Sequence, residues 1–471
     1  MGDSLRTGAR DECGVVALYA RGEDTARLAY YALYALQHRG QESAGIAVSD
    51  GTSILVSKEM GLVSQVFDEA RLAGLTGHLA IGHVRYSTSG ASTWDNAQPS
   101  FKVTPSGGGL ALAHNGNLTN TGDLAAAHPD LACRCSTDSD LFASTLATYD
   151  GPLGDGLAEV CQQVRGAFSL VVMDEHAIHA ARDPLGIRPL VIGRLPAGGY
   201  VIASETVALD IVGAVRVRDV APGEIVTIDE GGLRTRRFAE QGSAFCAFEY
   251  VYLARPDHWE DDRSVYGARR RMGEALAAEA PVEADLVIPV PDSGAAAASG
   301  YARASGIPYA EGLVKNRYVG RTFIEPSQML RQLGIRLKLN PLPDVLAQQR
   351  LVVVDDSIVR GNTSRQLVRM LREAGAAEVH LRITSPPVRN PCFYGIDMAT
   401  RAELIASGLS VAEIADFVGA DTLAYLSEDA LVAATGRPRD DLCMACFDGR
   451  YPVPVPPEQI ATGQQLAIFA E

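Results

Sequence analysis

The sequence predicts two mixed units in tandem: an α+β unit of layered sheets with outer helices over the first half, and an α/β unit with a parallel sheet over the second. Three observations lead there. Short apolar, strand-like runs recur from Cys13 to Ile228, with only a few helical stretches between them. In the second half such runs alternate with helical ones, and strand, crossover helix and parallel strand follow one another over 351–384. Between the halves, Arg234 to Ala247 turns polar and then aromatic. A length of 471 residues with 47% hydrophobic content suits two or three packed domains.

Charge and composition narrow the function. The net charge of -15 argues against broad nucleic-acid or anionic-membrane binding, while leaving room for a local basic pocket that holds a phosphorylated small molecule. Lys58, Lys102, Lys315 and Lys338 are the only lysines, so Arg supplies nearly all the positive charge. No apolar run approaches the roughly 18 residues of a membrane span, and no secretory signal is evident. MGDSLR fails as a myristoylation signal because Arg6 stands where Ser or Thr is needed. A cytoplasmic protein without nucleic-acid or membrane partners is expected, and its eight cysteines read as packing, catalytic or metal-binding groups.

Met1 to Glu12 is polar, and Cys13 opens the first strand-like run, CGVVALYA. Leu28, Tyr31, Ala32, Ala35 and Leu36 have helical spacing and lead to Gly40, which predicts an amphipathic helix with a glycine C-cap. Further strands are expected at 79–84, 110–113, 168–173, 201–203 and 224–228, with helices at 138–149 and 156–164. Three polar stretches, GHVRYSTSG (82–90), HNGNL (114–118) and STDSD (136–140), fall at element ends, where scaffolds place binding groups. Arg suits a carboxylate, Asp an ammonium, and an Asn-Gly pair can offer one side-chain and one backbone N–H to an oxyanion. Together they would hold an amino acid by its head and polarise its side-chain carbonyl. Taken singly, Arg85 reads as a surface ion-pair partner, Asn115-Gly116 as a turn and Asp138 as a helix cap. Their conjunction with Cys13 favours binding.

Cys13-Gly-Val-Val, His38-Arg-Gly-Gln-Glu-Ser-Ala-Gly-Ile, His83-Val-Arg-Tyr-Ser-Thr, His114-Asn-Gly-Asn and Thr137-Asp-Ser-Asp resemble the class II glutamine amidotransferase domain. The resemblance implies an N-terminal-nucleophile fold, a four-layer αββα sandwich over 13–245, with 1–12 removed as a propeptide to expose Cys13. Chemistry gives the cut a reason: an N-terminal Cys13 has its own α-amine, with a pKa of about 8, as general base for its thiol. The uncut chain should therefore lack glutaminase activity. By the same resemblance Arg85 and Asp138 bind the two ends of glutamine with Thr88 nearby, and Asn115 and the Gly116 N–H form the oxyanion hole. Cys133, Cys135 and Cys161 read as structural.

The second unit, 246–471, begins with strands at 284–290, 351–354 and 378–384 and helices at 295–304 and 363–374. Ligands of such a sheet lie beyond the strands' carboxyl ends. LVVVDDSIVRGNTS (351–364) occupies that place as a strand-to-helix turn with Asn362 or Thr363 near the N-cap, suited to a phosphate, while its acid pair suits Mg²⁺ or ribose hydroxyls. It closely resembles the diphosphoribosyl-binding loop of type I phosphoribosyltransferases, with Arg360-Gly-Asn-Thr-Ser where the usual turn reads Arg-Gly-Thr-Thr. The resemblance assigns ribose and Mg²⁺ to Asp355 and Asp356, with Ser293 as a further metal-site residue, and the 5-phosphate to Arg360, Gly361, Asn362, Thr363 and Ser364. A helix N-cap explains Ser293 equally well. The stretch from Lys315 through Arg317 to Ile324 resembles the loop that closes over pyrophosphate in glutamine phosphoribosylpyrophosphate amidotransferases, with Lys315 and Arg317 as the first candidate contacts.

Cys443 and Cys446 form a C-x-x-C, with Cys246 and Cys392 distant in sequence. Structural zinc, a redox pair and a four-thiolate iron-sulfur site are all open to such a set, and spacing alone favours zinc. The positions match the [4Fe-4S] ligands in one branch of that amidotransferase family. Beyond Tyr451, PVPVPPEQ reads as an extended tail. The resemblance as a whole implies a glutamine-dependent enzyme of purine synthesis: glutamine is hydrolysed through a Cys13 thioester, and the ammonia passes through an internal channel to displace pyrophosphate from phosphoribosyl pyrophosphate. It also implies purine nucleotide inhibitors and a homotetramer. A hexose-phosphate-aminating relative would lack the 351–364 signature. A regulatory nucleotide sensor would not need Cys13, Arg85, Asn115, Asp138 and both acids together.

Overall fold

In the first half, successive side chains of a strand face different cores. Val16 and Leu18 pack with Ala29, Leu33 and Leu36 of a helix, whereas Val15 and Ala17 pack against Ala111, Ala113, Val171 and Met173 of another sheet. Leu110 and Leu112, one residue out of phase with that sheet's inner face, pack with Leu141, Phe142 and Leu157. Period-two side chains buried on both faces require helix, sheet, sheet and helix in succession, the expected αββα sandwich. The computed structural model describes residues 12–86, 92–316, 338–398 and 400–462.

The strands of this unit are β1 (Gly14–Tyr19), β2 (Ser43–Ser49), β3 (Ile54–Met60), β4 (Leu79–Arg85), β5 (Ser100–Val103), β6 (Gly109–Leu118), β7 (Gly166–Met173), β8 (Ile178–Arg182), β9 (Val191–Arg194), β10 (Tyr200–Ala203), β11 (Val215–Asp219), β12 (Glu224–Asp229) and β13 (Gly232–Arg237). One sheet runs β11-β9-β10-β1-β4-β2-β3 and the other β13-β12-β8-β7-β6-β5. Helix α1 (Thr25–Ala35) covers the first, and α2 (Asp138–Ala147) with α3 (Leu153–Gln163) covers the second.

Two local expectations are corrected. Helix α1 ends at Ala35 with Leu36 as its C-cap, four residues before Gly40. Gly40 serves close approach instead: a Cβ there would lie 2.5 Å from the Val84 carbonyl carbon. The HNGNL stretch is not a turn but the carboxyl-terminal half of the ten-residue β6.

In the second unit, β14 (Phe245–Cys246) pairs in parallel with a late strand, Leu442–Cys443. Helices α4 (Val265–Glu279) and α5 (Ala295–Ser305) flank β15 (Leu286–Pro289), and a hairpin of Leu313–Lys315 and Leu339–Pro341 follows. Strands β15, Arg350–Asp355, Glu378–Ile383 and Thr422–Tyr425 form an all-parallel sheet in that order, with helix Asn362–Glu373 as a crossover, which confirms the α/β expectation. The tail is not wholly extended. Pro457 starts a short helix, Pro457–Thr462, at the first helical position, where a missing N–H costs nothing. Among the described residues no helix is long and apolar enough to cross a membrane.

Candidate active site

Cys13 stands just before β1, where Gly14 pairs with Val84 at the end of β4. Its Sγ donates to the Tyr86 carbonyl at 3.4 Å, and its own carbonyl accepts from Arg39 Nε at 3.2 Å. Burial pushes the thiol up to about 11, against weaker opposition from the Tyr86 hydrogen bond and the Arg85 charge. The same small cleft is lined by Arg85, Tyr86, Gln98, His114, Gly116, Thr137 and Asp138.

Strand register decides where the N–H of Gly116, an expected oxyanion donor, points. Gly116 pairs with Phe168 of β7, but both the N–H and the carbonyl of Phe168 are committed to Asp183 on the far side. The Gly116–Phe168 pair is therefore not hydrogen-bonded, and the Gly116 N–H points away from β7. On that edge the N–H groups of His114 and Leu118 reach Gln98 Oε1 at 2.8 Å and Asp138 Oδ2 at 3.1 Å. The Gly116 N–H lies between them, beyond the end of β5, whose pairing stops at Leu112. Beside it, the fully buried Asn115 leaves both its side-chain oxygen and nitrogen without a hydrogen-bond partner. Such a group costs stability unless a ligand completes it.

Arg85 is buried at the end of β4, with Glu42 3.8 Å away. Asp138 is the first residue of α2, and the cap is Thr137, whose side chain accepts from Asp140 N–H. The structure thus brings Cys13, Arg85, Gly116 and Asp138 to one cleft, with Asn115 next to Gly116 on β6. Thr88 lies outside the described residues.

Next to Cys13 is a buried charge cluster. Arg39 contacts Glu249 (2.7 and 3.1 Å), Glu205 (2.6 Å) and Glu12 (2.9 Å). Arg188 pairs with Glu12 and approaches Glu249 at 3.6 Å. Burial pushes the Glu12 carboxyl well above the usual range, and Glu249 adds to the push. Sequence reading placed Arg39 in a motif without a role and overlooked Arg188, Glu205 and Glu249. A buried arginine is invisible until its carboxylates, dozens to hundreds of residues away, fold around it.

The Asp355–Asp356 pair lies at the carboxyl end of the parallel sheet. Burial, then the adjacent Asp356 charge, push Asp355 well above the usual carboxylate range. Asp356 is raised by burial too, against hydrogen bonds from Ser293 and Ser357 and the charge of Arg269. Ser293 therefore faces the acid pair, and the N-cap of α5 is Gly294 rather than Ser293. The N-cap after the pair is Gly361, in the left-handed region at φ 75°, rather than Asn362 or Thr363. No side chain caps this helix, so its first N–H groups remain for a ligand. Arg360 is turned onto Glu403 at 3.1 Å. Lys315 pairs with Asp292 at 2.6 Å, beside Ser293. Arg317 lies outside the described residues.

The four late cysteines also converge. Cys246 and Cys443 are register partners, and the Cys446 thiol feels the charges of Cys246, Cys443 and Cys392. Burial raises all four, Cys443 to about 12, while the Arg188 charge pulls Cys246 and Cys392 down. Among the described residues no three His, Cys, Asp or Glu side chains are arranged around a single metal ion. Cys135 and Cys161 are buried and Cys133 is exposed.

Residues 83–210 match the glutamine amidotransferase domain model. The amidophosphoribosyltransferase of Mycobacterium bovis is 58% identical over 463 residues, covering 95% of this chain and 88% of that protein. The chain belongs to the amidophosphoribosyltransferase family. The Synechococcus elongatus member is 54% identical over 95% of this chain and 92% of its own length. A solved glutamine phosphoribosylpyrophosphate amidotransferase from B. subtilis, complexed with ADP and GMP, superposes with a TM-score of 0.88 at 45% identity, covering 95% of this chain and 98% of that one. Members of the family are glutamine amidotransferases and pentosyltransferases, so the fold and activity expected from the two sequence signatures both hold.

Proposed function

We propose that this chain makes 5-phosphoribosylamine from glutamine and phosphoribosyl pyrophosphate with its two sites divided as the geometry suggests. The observation that carries the reading is the unpaired buried amide of Asn115, next in the chain to Gly116, which lines one cleft with Cys13. Once residues 1–12 are removed, the Cys13 amine takes the thiol proton as Sγ attacks the side-chain carbonyl of glutamine. Asn115 Nδ2–H and Gly116 N–H stabilise the oxyanion, and Arg85 and Asp138 hold the carboxylate and ammonium, with Thr88 kept as a further candidate for glutamine binding. Collapse returns the proton to the leaving nitrogen, releasing ammonia and a thioester, which water cleaves to glutamate and free thiol. Ammonia then bonds to the anomeric carbon, the bond to pyrophosphate breaks, and the new amine loses a proton. Because free ammonia in water would be largely protonated, an internal apolar passage joins the sites.

Charge bookkeeping supports removal of the leader. Arg39 and Arg188 face Glu205 and Glu249, and His38 also lies 2.7 Å from Glu205, so Glu12 is a third carboxyl in the cluster, pushed well above the usual range by burial. Its departure removes a buried acid.

The paired oxygens of Asp355 and Asp356, with Ser293, suit a hard cation, and they would hold Mg²⁺. Bound there, the ion supplies positive charge against the departing pyrophosphate. The all-sulfur set of Cys246, Cys392, Cys443 and Cys446, with Arg188 as a nearby cation, suits a [4Fe-4S] cluster that ties the chain's last third to its middle. Arg360 to Ser364 would bind the 5-phosphate, and Lys315 and Arg317 are kept as the candidates for pyrophosphate contact. Purine nucleotides, such as those bound in the B. subtilis relative, would act as inhibitors. Cytoplasmic location and a homotetramer belong to the same proposal, and light scattering tests the second.

The deciding experiment measures glutamate release by purified protein whose N-terminus mass spectrometry shows to be Cys13. Release dependent on phosphoribosyl pyrophosphate is expected. No release from cut, metal-replete protein refutes the assignment.

A further inference from the structure

The turn from Cys392 to Asp397, which belongs to the second unit, is threaded across the outer face of the glutamine site. Asn117 Nδ2 donates to the Phe393 carbonyl at 2.9 Å, Arg188 Nε donates to the Tyr394 carbonyl at 2.8 Å, and Tyr86 Oη donates to Asp397 Oδ2 at 3.2 Å. Three residues that surround the nucleophile or follow the oxyanion pair are therefore bonded to one short turn. At its centre Gly395, with φ +113°, lies against Gly116: a Cβ on Gly395 would stand 3.0 Å from Gly116 Cα, 3.1 Å from its carbonyl carbon and 3.2 Å from its oxygen. A Cβ on Gly116 would itself stand 2.0 Å from the Ala167 carbonyl oxygen. The Gly116 peptide is thus packed against two backbones, with no side chain on either residue to give way.

We infer that Gly395 is a positioning residue for glutamine hydrolysis: it fixes the Gly116 peptide against β7 and so aims the Gly116 N–H at the oxyanion, bringing the second unit into the first unit's catalytic geometry. The inference rests on the placement of the oxyanion hole at Asn115 and Gly116. The turn has a second anchor that explains how Gly395 keeps its place. The N–H groups of Tyr394 and Ile396, on either side of it, both point to the Cys392 sulfur, the former at 3.4 Å. A donor aimed at charge that develops only in the transition state affects turnover and leaves ground-state binding alone.

The test is Gly395→Ala in the full-length, processed enzyme. Glutamine-dependent kcat should fall at least tenfold, while KM for glutamine and the rate with added ammonium chloride stay within about twofold, since a whole oxyanion donor contributes roughly 10²–10³ in kcat. The affinity of an aldehyde analogue of glutamine, whose adduct with Cys13 carries the oxyanion, should fall by the same factor as kcat, and that of the product glutamate should not change. Asn117→Ala loosens the turn without adding atoms and should move the same quantities in the same direction by less. It decides the matter if Gly395→Ala is not recovered folded. An unchanged glutamine kcat, or equal losses in ammonia-dependent synthesis and glutamate affinity, overturns the inference. Asn115→Leu is assayed alongside: if it keeps full glutamine turnover, the oxyanion placement itself fails, whereas its inactivity with an unaffected Gly395→Ala refutes only the role of Gly395.

Discussion

Replacing Asn115 by leucine should make the enzyme more stable and less active. The amide is fully buried on β6, and neither of its polar ends has a hydrogen-bond partner. An unsatisfied buried polar group costs about 1–3 kcal/mol, and an apolar group of similar shape removes that cost. We take a gain of about 2 kcal/mol, which for a unit of this size raises the unfolding midpoint by roughly 4–8 °C. The same substitution deletes one of two oxyanion donors, which typically costs about 2.7–4 kcal/mol of transition-state stabilisation, or roughly 10²–10³ in kcat. The opposite signs make the prediction sharp. The assay pairs calorimetry with glutamine-dependent and ammonia-dependent synthesis on one preparation. Lower stability together with loss of both activities would mean that Asn115 holds the fold, and the reasoning from its unpaired amide would be wrong.

Three further outcomes follow from the charges and thiols. In uncut protein, iodoacetamide should alkylate Cys13 about tenfold faster per pH unit up to about 11, the raised value of its buried thiol; after cleavage the inflection should drop toward the α-amine's pKa of about 8. A plateau below pH 9 in uncut protein contradicts this. Glu260 is raised by burial but brought from 4.5 to about 2 by Arg182 and His258, so its stabilising contribution, at most about 3 kcal/mol, is present above 4.5 and lost as pH falls toward 2. Asp219 beside it is pushed up to about 6 by burial and the Glu260 charge, so its contribution runs the other way, present below 3.8 and lost as pH rises through 6. Urea titrations should show Glu260→Gln without the acid limb; a limb that persists assigns it elsewhere. Protein purified without oxygen should be brown with about four irons per chain, and Cys443→Ser should bleach it. Colourless protein with one zinc overturns the cluster proposal.

Both chemistries could be read from the sequence because their signatures are local. Cys13 opens a strand, and the acids Asp355 and Asp356 with Arg360 to Ser364 occupy one strand-to-helix joint, so nearest-neighbour patterning already places them. Local patterning also misled. Asn115-Gly116 has the composition of a turn, yet it lies within β6, because an extended glycine there accommodates the Ala167 oxygen and Gly395. Gly40, Ser293 and Thr363 resembled caps, but Leu36, Gly294 and Gly361 hold those positions. What only the tertiary structure decided are the long-range partners: Glu205 and Glu249 around Arg39, the Arg188 charge beside Cys246 and Cys392, and the turn at Gly395 that closes on Gly116. Sequence periodicity records which face of a strand or helix is buried. It carries no record of which distant residue that face will meet, since burial depends on each residue's own hydrophobicity and pairing depends on the path of the whole chain.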